Sequence, residues 1–214
     1  MTNEKLLAKL HEFLNAKNEV TRYEIITNLI ATAEDEIRTE TAKSRGQGNI
    51  MKTAKDILKV SEKGDKGSLK FAYTAPNGFQ YVCDGFRLLK LHNPLPLPEL
   101  PATIIPVRYE NIIPHPTNTV DLALPDPDKL RAYIKIKKAE KQAAVYDFGA
   151  GLPGVDANLL LSMIEAFPNA TAEVERSDED FNRHTILFYS GDDFGMLMPL
   201  MKGALTPERR KTEL

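Results

Sequence analysis

At 214 residues, 42% of them apolar, the chain holds enough core material for one large domain or two small ones. Its 28 lysines and arginines against 30 acids, net -2 with a sequence pI near 6.1, exclude a chain that is basic throughout and leave local basic faces open. The single cysteine, Cys83, excludes an internal disulfide, and no segment approaches the ~18 consecutive apolar residues of a membrane helix. The start MTNEKLLAKLHEF interleaves charges with apolar residues and does not read as a secretory signal, so a reduced, cytoplasmic protein is expected.

From Asn3 to about Lys43 apolar residues recur at helical spacing: Leu6, Leu7, Leu10, Phe13 and Leu14 form one stripe, and Tyr23, Ile26, Leu29 and Ile30 a second. Two short helices are expected, with Glu34, Asp35 and Glu36 on a solvated surface. The polar run SRGQGN, with two glycines, reads as a hinge that ends an N-terminal helical extension spanning 1–45. From Ile50 to Val60 a third helix sets Ile50, Met51, Ala54, Ile57 and Leu58 on one face and Lys52, Lys55 and Lys59 largely off it.

Two strand-like runs, SLKFAYTA and FQYVC, flank Pro76-Asn77-Gly78, whose Asn-Gly suits the positive φ of a tight hairpin. A third run, FRLLKL, follows Asp84-Gly85. Prolines dominate from His92 to Pro127, where TIIPVRYENII supplies at most edge strands or extended connections, because proline gives no N–H to a ladder. A basic helix is expected from Asp128 to about Lys141, carrying Lys129, Arg131, Lys135, Lys137, Lys138 and Lys141. Another runs from about Asp156, its cap, to Phe167, and Pro168-Asn169 stops it. The strand candidates ATAEVER, HTILFYS and GMLMPLM follow, and 206–214 reads as a disordered tail.

The two halves share an order of helix, strands, turn with an acid, and a final apolar strand. CDGFRLLKL lies over GDDFGMLMPL, which sets Asp84 on Asp192 and Phe86 on Phe194. Lys59 and Phe167, each ending a helix, both stand 25 residues before those acids (84 - 59 and 192 - 167). An internal duplication is expected in a domain spanning 46–205, with halves at about 46–92 and 146–205 and a connecting region at 93–145. One helix with three or four antiparallel strands cannot bury its helix face alone. Two such units related by a pseudo-twofold can, which is an α+β architecture.

These residues resemble a known family. Val82-Cys83-Asp84-Gly85-Phe86-Arg87-Leu88 resembles the apolar strand and Asp-Gly-His-Arg-Leu in the middle domain of the bacterial DNA polymerase III β sliding clamp. Leu197-Met198-Pro199-Leu200 resembles the Val-Met-Pro-Met near that clamp's C-terminus, and Ser190-Gly191-Asp192-Asp193-Phe194 is similar to a turn in a clamp half-domain. The resemblance covers about Asn49 to Met201 with interruptions, the content of one clamp domain. It implies a processivity-clamp fold, with Lys52, Lys55 and Lys59 facing duplex DNA through its phosphates. It also implies a groove for polymerase-type peptides at Gly85, Phe86, Arg87, Leu88, Met198, Pro199 and Leu200.

The chain departs from the family in several ways. The helix VDANLLLSMIEAF has no lysine or arginine, and from Asp156 to Asp193 nine acids stand against Arg176 and Arg183, a stretch that should repel DNA. A ring would need six copies of so short a domain, and in the family the two groove stretches come from adjacent domains. The N-terminal helices and the basic 128–141 helix have no counterpart.

Catalytic patterns are missing from the sequence. His11, His92, His115 and His184 are scattered without ligand spacing, so no metal is expected, and Asp147-Phe148-Gly149 lacks the other kinase motifs. Cys83 sits in an apolar strand with no histidine near in sequence. A G-x-G-x-x-G at Gly149, Gly151 and Gly154 suggests a dinucleotide loop, but KQAAVYDF is not a wholly apolar strand, Pro153 removes an amide donor and Asp156 sets a carboxylate where phosphate would bind. The expectation is a non-enzymatic, cofactor-free accessory protein of DNA replication or repair, of the kind a phage or mobile element carries. Its expected partners are duplex DNA, a DNA polymerase or other replication protein, and further copies of itself, with no membrane. Two alternatives stand beside it: a protein-interaction module of clamp fold that does not encircle DNA, and an enzyme whose site forms only in three dimensions.

Overall fold

A turn at Gly46 closes the helical part of the first of two units, 1–48 and 49–214, in a computed structural model that describes residues 3–114, 118–149, 152–175 and 185–200. The first unit pairs α1 (Asn3–Asn15) with α2 (Glu19–Ser44). Asn18 caps α2 by accepting the Thr21 N–H at 2.8 Å. At 26 residues α2 is not the short helix expected. No glycine or proline interrupts 19–44, the Arg38–Glu34 and Lys43–Glu40 pairs support the later turns, and only at Gly46, with φ 74, does the backbone leave the helix.

The second unit is α+β, as expected. It runs α3 (Gly48–Lys63), β1 (Tyr73–Thr74), β2 (Gln80–Cys83), β3 (Arg87–Leu91), β4 (Thr119–Leu122), α4 (Pro127–Ala139), β5 (Val145–Asp147), β6 (Gly154–Asp156), α5 (Ala157–Ala166), β7 (Thr171–Glu175), β8 (Ile186–Ser190) and β9 (Asp193–Leu197). Seven strands form one antiparallel sheet in the order β1-β2-β3-β9-β8-β7-β4, and β5-β6 is a separate hairpin. Each half contributes a helix and then β2-β3 or β8-β9, and the halves join where β3 meets β9, with Leu88 opposite Met196.

Strand alternation gives the sheet two different faces. On the outer one, Tyr81, Cys83, Leu88, Leu187 and Met196 form a buried cluster with Ala75 and Tyr109, and the Tyr81 and Tyr109 rings stack at 4.9 Å. On the other face Arg87 reaches α3 and α5, and Gly195 lies so close to α5 that a Cβ there would sit 2.6 Å from Met163 Cε and Phe167 Cε2.

One local expectation changes and two are made specific. SLKFAYTA is strand only at Tyr73–Thr74, because a 3-10 turn occupies Gly67–Lys70 and both backbone groups of Ala72 bond to the 98–100 segment. TIIPVRYENII holds no strand but a 3-10 turn at Tyr109–Asn111, while the edge strand of the connecting region is β4, further on. The proline-rich run is tied down instead by the buried Gln80 side chain, which donates to Leu95 O and Glu99 Oε1 and accepts from Leu95 N. The G-x-G-x-x-G stretch joins β5 to β6, antiparallel neighbours, so no parallel βαβ unit surrounds it; Gly151 lies outside the described residues. The tail expected at 206–214 also lies outside them.

Candidate functional site

The lysines expected to meet DNA occupy the outward side of α3, whose buried face is Met51, Ala54, Ile57 and Leu58. Lys52 and Lys59 are exposed and Lys55 is half-buried. Lys52 Nζ lies 2.9 Å from Glu165 Oε2 on α5, and next to that contact Thr53 Oγ1 donates to Ser162 O at 3.0 Å. The helices that the repeat makes equivalent therefore lie side by side.

α4 completes this layer, a placement that its sequence did not disclose. Asp126 caps it by accepting from the N–H groups of Asp128 and Lys129, and Pro127 occupies the first turn. Leu130, fully buried, and the half-buried Tyr133, Ile134 and Lys137 mark its inward side; Tyr133 Oη donates to Val145 O at 2.8 Å. Arg131, Lys135 and Lys138 fall on another stripe. Arg131 Nη2 donates to Glu165 Oε1 at 2.8 Å. Glu165, the only charge on α5, thus accepts from α3 on one oxygen and from α4 on the other. The Arg131 guanidinium and then the Lys52 ammonium hold its carboxyl below the usual range.

α5 itself has no basic residue, yet cations flank it on both sides. α3 carries four lysines against Asp56 and Glu62, and α4 carries five cations against Asp128. With Glu165, the three helices hold nine cations and four acids.

The groove residues divide into two groups. Gly85 and Phe86 sit at the tip of the β2-β3 hairpin, where Gly85 takes φ 85 and Phe86 is 53% exposed. Lys66 Nζ stands 4.6 Å above the Phe86 ring. Met198, 37% exposed, follows β9 and donates its N–H to Phe86 O at 2.8 Å, while Leu200 N–H donates to Gly154 O. Pro199 and Leu200 are half-buried. The β3-β9 pairing thus brings together two stretches distant in sequence.

Arg87 and Leu88 do not join them, being 1% and 0% exposed. Leu88 lies in the outer cluster with Tyr109, Leu187 and Met196. Arg87 points to the helices: Nε and Nη2 donate to Asp84 Oδ2 at 3.0 and 2.7 Å, while Nη1 lies 2.9 Å from both Ser162 Oγ and Asp56 Oδ2. Asp84 Oδ1 accepts the N–H groups of Phe86 and Arg87. This buried ion pair ties the hairpin tip to α3 and α5, so Arg87 fixes the turn rather than presenting a surface.

Among the described residues no group of three or more His, Cys, Asp or Glu could hold a metal ion, and no helix is long and apolar enough to cross a membrane. Burial pushes the Cys83 thiol up, away from the reactive thiolate. No family model and no curated protein matches the chain. Among solved structures, the crystal structure of the Helicobacter pylori beta clamp bound to a DNA ligase peptide is similar at 15% identity and a TM-score of 0.30. The alignment covers 58% of this chain and 40% of that one, so this chain spans less than half of the clamp's length in the comparison.

Proposed function

We propose that the chain is a non-enzymatic, clamp-like accessory protein of DNA replication or repair, which holds duplex DNA by its phosphates on the α3–α5–α4 layer. The observation that supports this most is Glu165, which joins Lys52 and Arg131 and so merges two basic helices into one surface. Lys59, Lys63, Lys135 and Lys138 extend that surface along α3 and α4. Contacts of this kind position a protein on the backbone and carry no base code. The binding constant for a random duplex should fall steeply with salt, and joint charge reversal of Lys52, Lys59 and Lys135 should flatten the slope by ~0.9 for each phosphate that is no longer neutralised. Absence of duplex binding at low salt, or a slope unmoved by the reversal, removes this reading.

A second, compatible activity rests on Phe86 and Met198, exposed apolar side chains whose backbones are bonded to each other. They form an apolar platform suited to a short hydrophobic peptide of a replication protein. Phe86→Ala should weaken such a peptide by 10-fold or more, on the order of 2 kcal/mol for a buried aromatic anchor, and leave the DNA salt slope unchanged.

A further inference from the structure

We infer that the Phe86–Met198 platform selects acidic peptides, with the Lys66 ammonium as the group that receives an Asp or Glu side chain standing next to the peptide's apolar anchor. This rests on the peptide reading of that platform and adds the charge of its occupant. The cation is placed by local structure. Lys66 follows the end of α3, and both of its backbone groups are bonded: its N–H donates to Ser61 O at 3.0 Å and its carbonyl accepts the Leu69 N–H at 3.1 Å. Ser61 Oγ donates in turn to Cys83 O at 3.0 Å, which fastens the end of α3 to the β2-β3 hairpin. From this anchored start the Lys66 side chain reaches the hairpin tip, where Nζ donates to Asp84 O and stands 4.6 Å from the centre of the Phe86 ring.

No acid answers this cation. Among the described residues Lys66 forms no ion pair, and the acids on either side of it are committed elsewhere: Asp65 pairs with Lys70, and the fully buried Asp84 carboxylate is held by Arg87. An ammonium has three N–H groups, of which a carbonyl takes one and a ring face another, so one is left to donate. Gly85 keeps it accessible. A Cβ at Gly85 would have Lys66 Nζ, at 3.8 Å, as its only neighbour within 4 Å, so the glycine leaves the ammonium uncovered on that side. Lys66 is half-buried, and a cation partly withdrawn from water attracts a carboxylate more strongly than one on an open surface.

The contact with Phe86 also fixes the spacing. A carboxylate on Lys66 lies about 7 Å from an anchor seated on the ring, the distance between residues i and i+2 on one face of an extended peptide, so the acid stands within two positions of the anchor. Duplex DNA is the competing occupant, because Lys59 and Lys63 precede Lys66 on α3. The peptide is favoured by the exposed Phe86 and Met198 side chains beside the cation, which gain from burying carbon that a phosphate backbone does not offer.

A library of short, C-terminally amidated peptides tests this, each with two adjacent apolar residues and random polar or charged residues elsewhere, passed over the immobilised full chain. The retained pool should be enriched about 5-fold in Asp and Glu within two positions of the apolar pair, and Lys66→Glu should turn that enrichment toward Lys and Arg. Should Lys66→Glu disturb the hairpin, the parent chain still decides the matter: exchanging the acid of a retained peptide for its amide should raise the dissociation constant about 5-fold. A pool retained through Phe86 without acid preference, or a preference that survives Lys66→Glu, overturns the inference and leaves the peptide reading standing. So does a Lys66→Glu chain whose duplex salt slope flattens while its peptide pool is unchanged, which would assign Lys66 to DNA. A parent chain that retains no peptides, or retains the same pool after Phe86→Ala, removes the peptide reading and this inference with it.

Discussion

Leu88 and Met196 face one another across the junction of β3 and β9, and they are also the residues that the repeat, with Asp84 on Asp192, makes equivalent. A pseudo-twofold through an antiparallel pair requires equivalent residues to meet at the axis. One step before each, Arg87 and Gly195 are equivalent too, and both lie on the helix side of the sheet. The two halves have filled the same position in opposite ways, with a buried guanidinium in one and with no side chain in the other.

Gly195→Ala should therefore destabilise the second unit by about 1–3 kcal/mol, because the new methyl group meets Met163 and Phe167 at 2.6 Å. Combining it with Met163→Ala should not recover the loss fully, since the Phe167 contact remains. Urea midpoints for the single and double variants measure both effects, and a neutral Gly195→Ala would contradict the close packing of α5 on β9.

Arg87→Met should cost about 3–5 kcal/mol, because it leaves the Asp84 carboxylate buried without its partner. Adding Asp84→Asn should restore most of that stability, since Asn keeps the oxygen that accepts the Phe86 and Arg87 N–H groups and removes the charge. The comparison is a denaturation series on the two singles and the double. A double as unstable as Arg87→Met would mean that the ion pair is not the source of the loss.

The Glu165 carboxyl titrates below its ordinary value because Arg131, and then Lys52, favour its charged form. A depressed acid stabilises the folded chain above its unfolded pKa of about 4.3 and loses that contribution as pH falls through the lower folded value. The stability difference between the parent and Glu165→Gln should thus be constant near neutrality and shrink in the acid range. At neutral pH the same substitution should tighten duplex DNA binding by roughly 2- to 10-fold, by removing one negative charge from the basic layer. Fluorescence anisotropy with a labelled duplex reads this, and weaker binding would show that the Glu165 bridge is needed to hold the cations in place.

Cys83 should resist alkylation by iodoacetamide at pH 8 in the native chain and react once the chain is unfolded, because the buried thiol is held above its usual pKa. Mass spectrometry of the modified chain follows the rate. Rapid native labelling would place the β2-β3 hairpin among readily opened elements.

Much of the fold was legible because it is local. The 3.6-residue stripe of α3, the Asp156 cap and the Asn77-Gly78 turn, with Gly78 at φ 87, are written in neighbouring residues. The shared order of elements, their equal spacing and the matching acids carried the repeat. The long-range terms were not legible. Arg87 reads as an exposed groove residue until Asp56 and Ser162 are seen on either side of it, and Arg131 meets Glu165 only because α4 packs on α5. The groove prediction failed at Arg87 and Leu88 for one reason: a strand hides alternate residues on both faces when a helix layer covers one and Tyr109 packs into the other.

The β3-β9 junction also orders events during synthesis. β3 ends at Leu91 and its neighbour begins at Asp193, so a ribosome must add about a hundred residues, at ~5–20 per second, before the two strands can meet. Through those seconds the inner edge of β3 is an open hydrogen-bonding template, and Arg87 waits for Ser162. A nascent chain arrested before Asp193 should be the species most prone to strand-mediated aggregation and most in need of a chaperone.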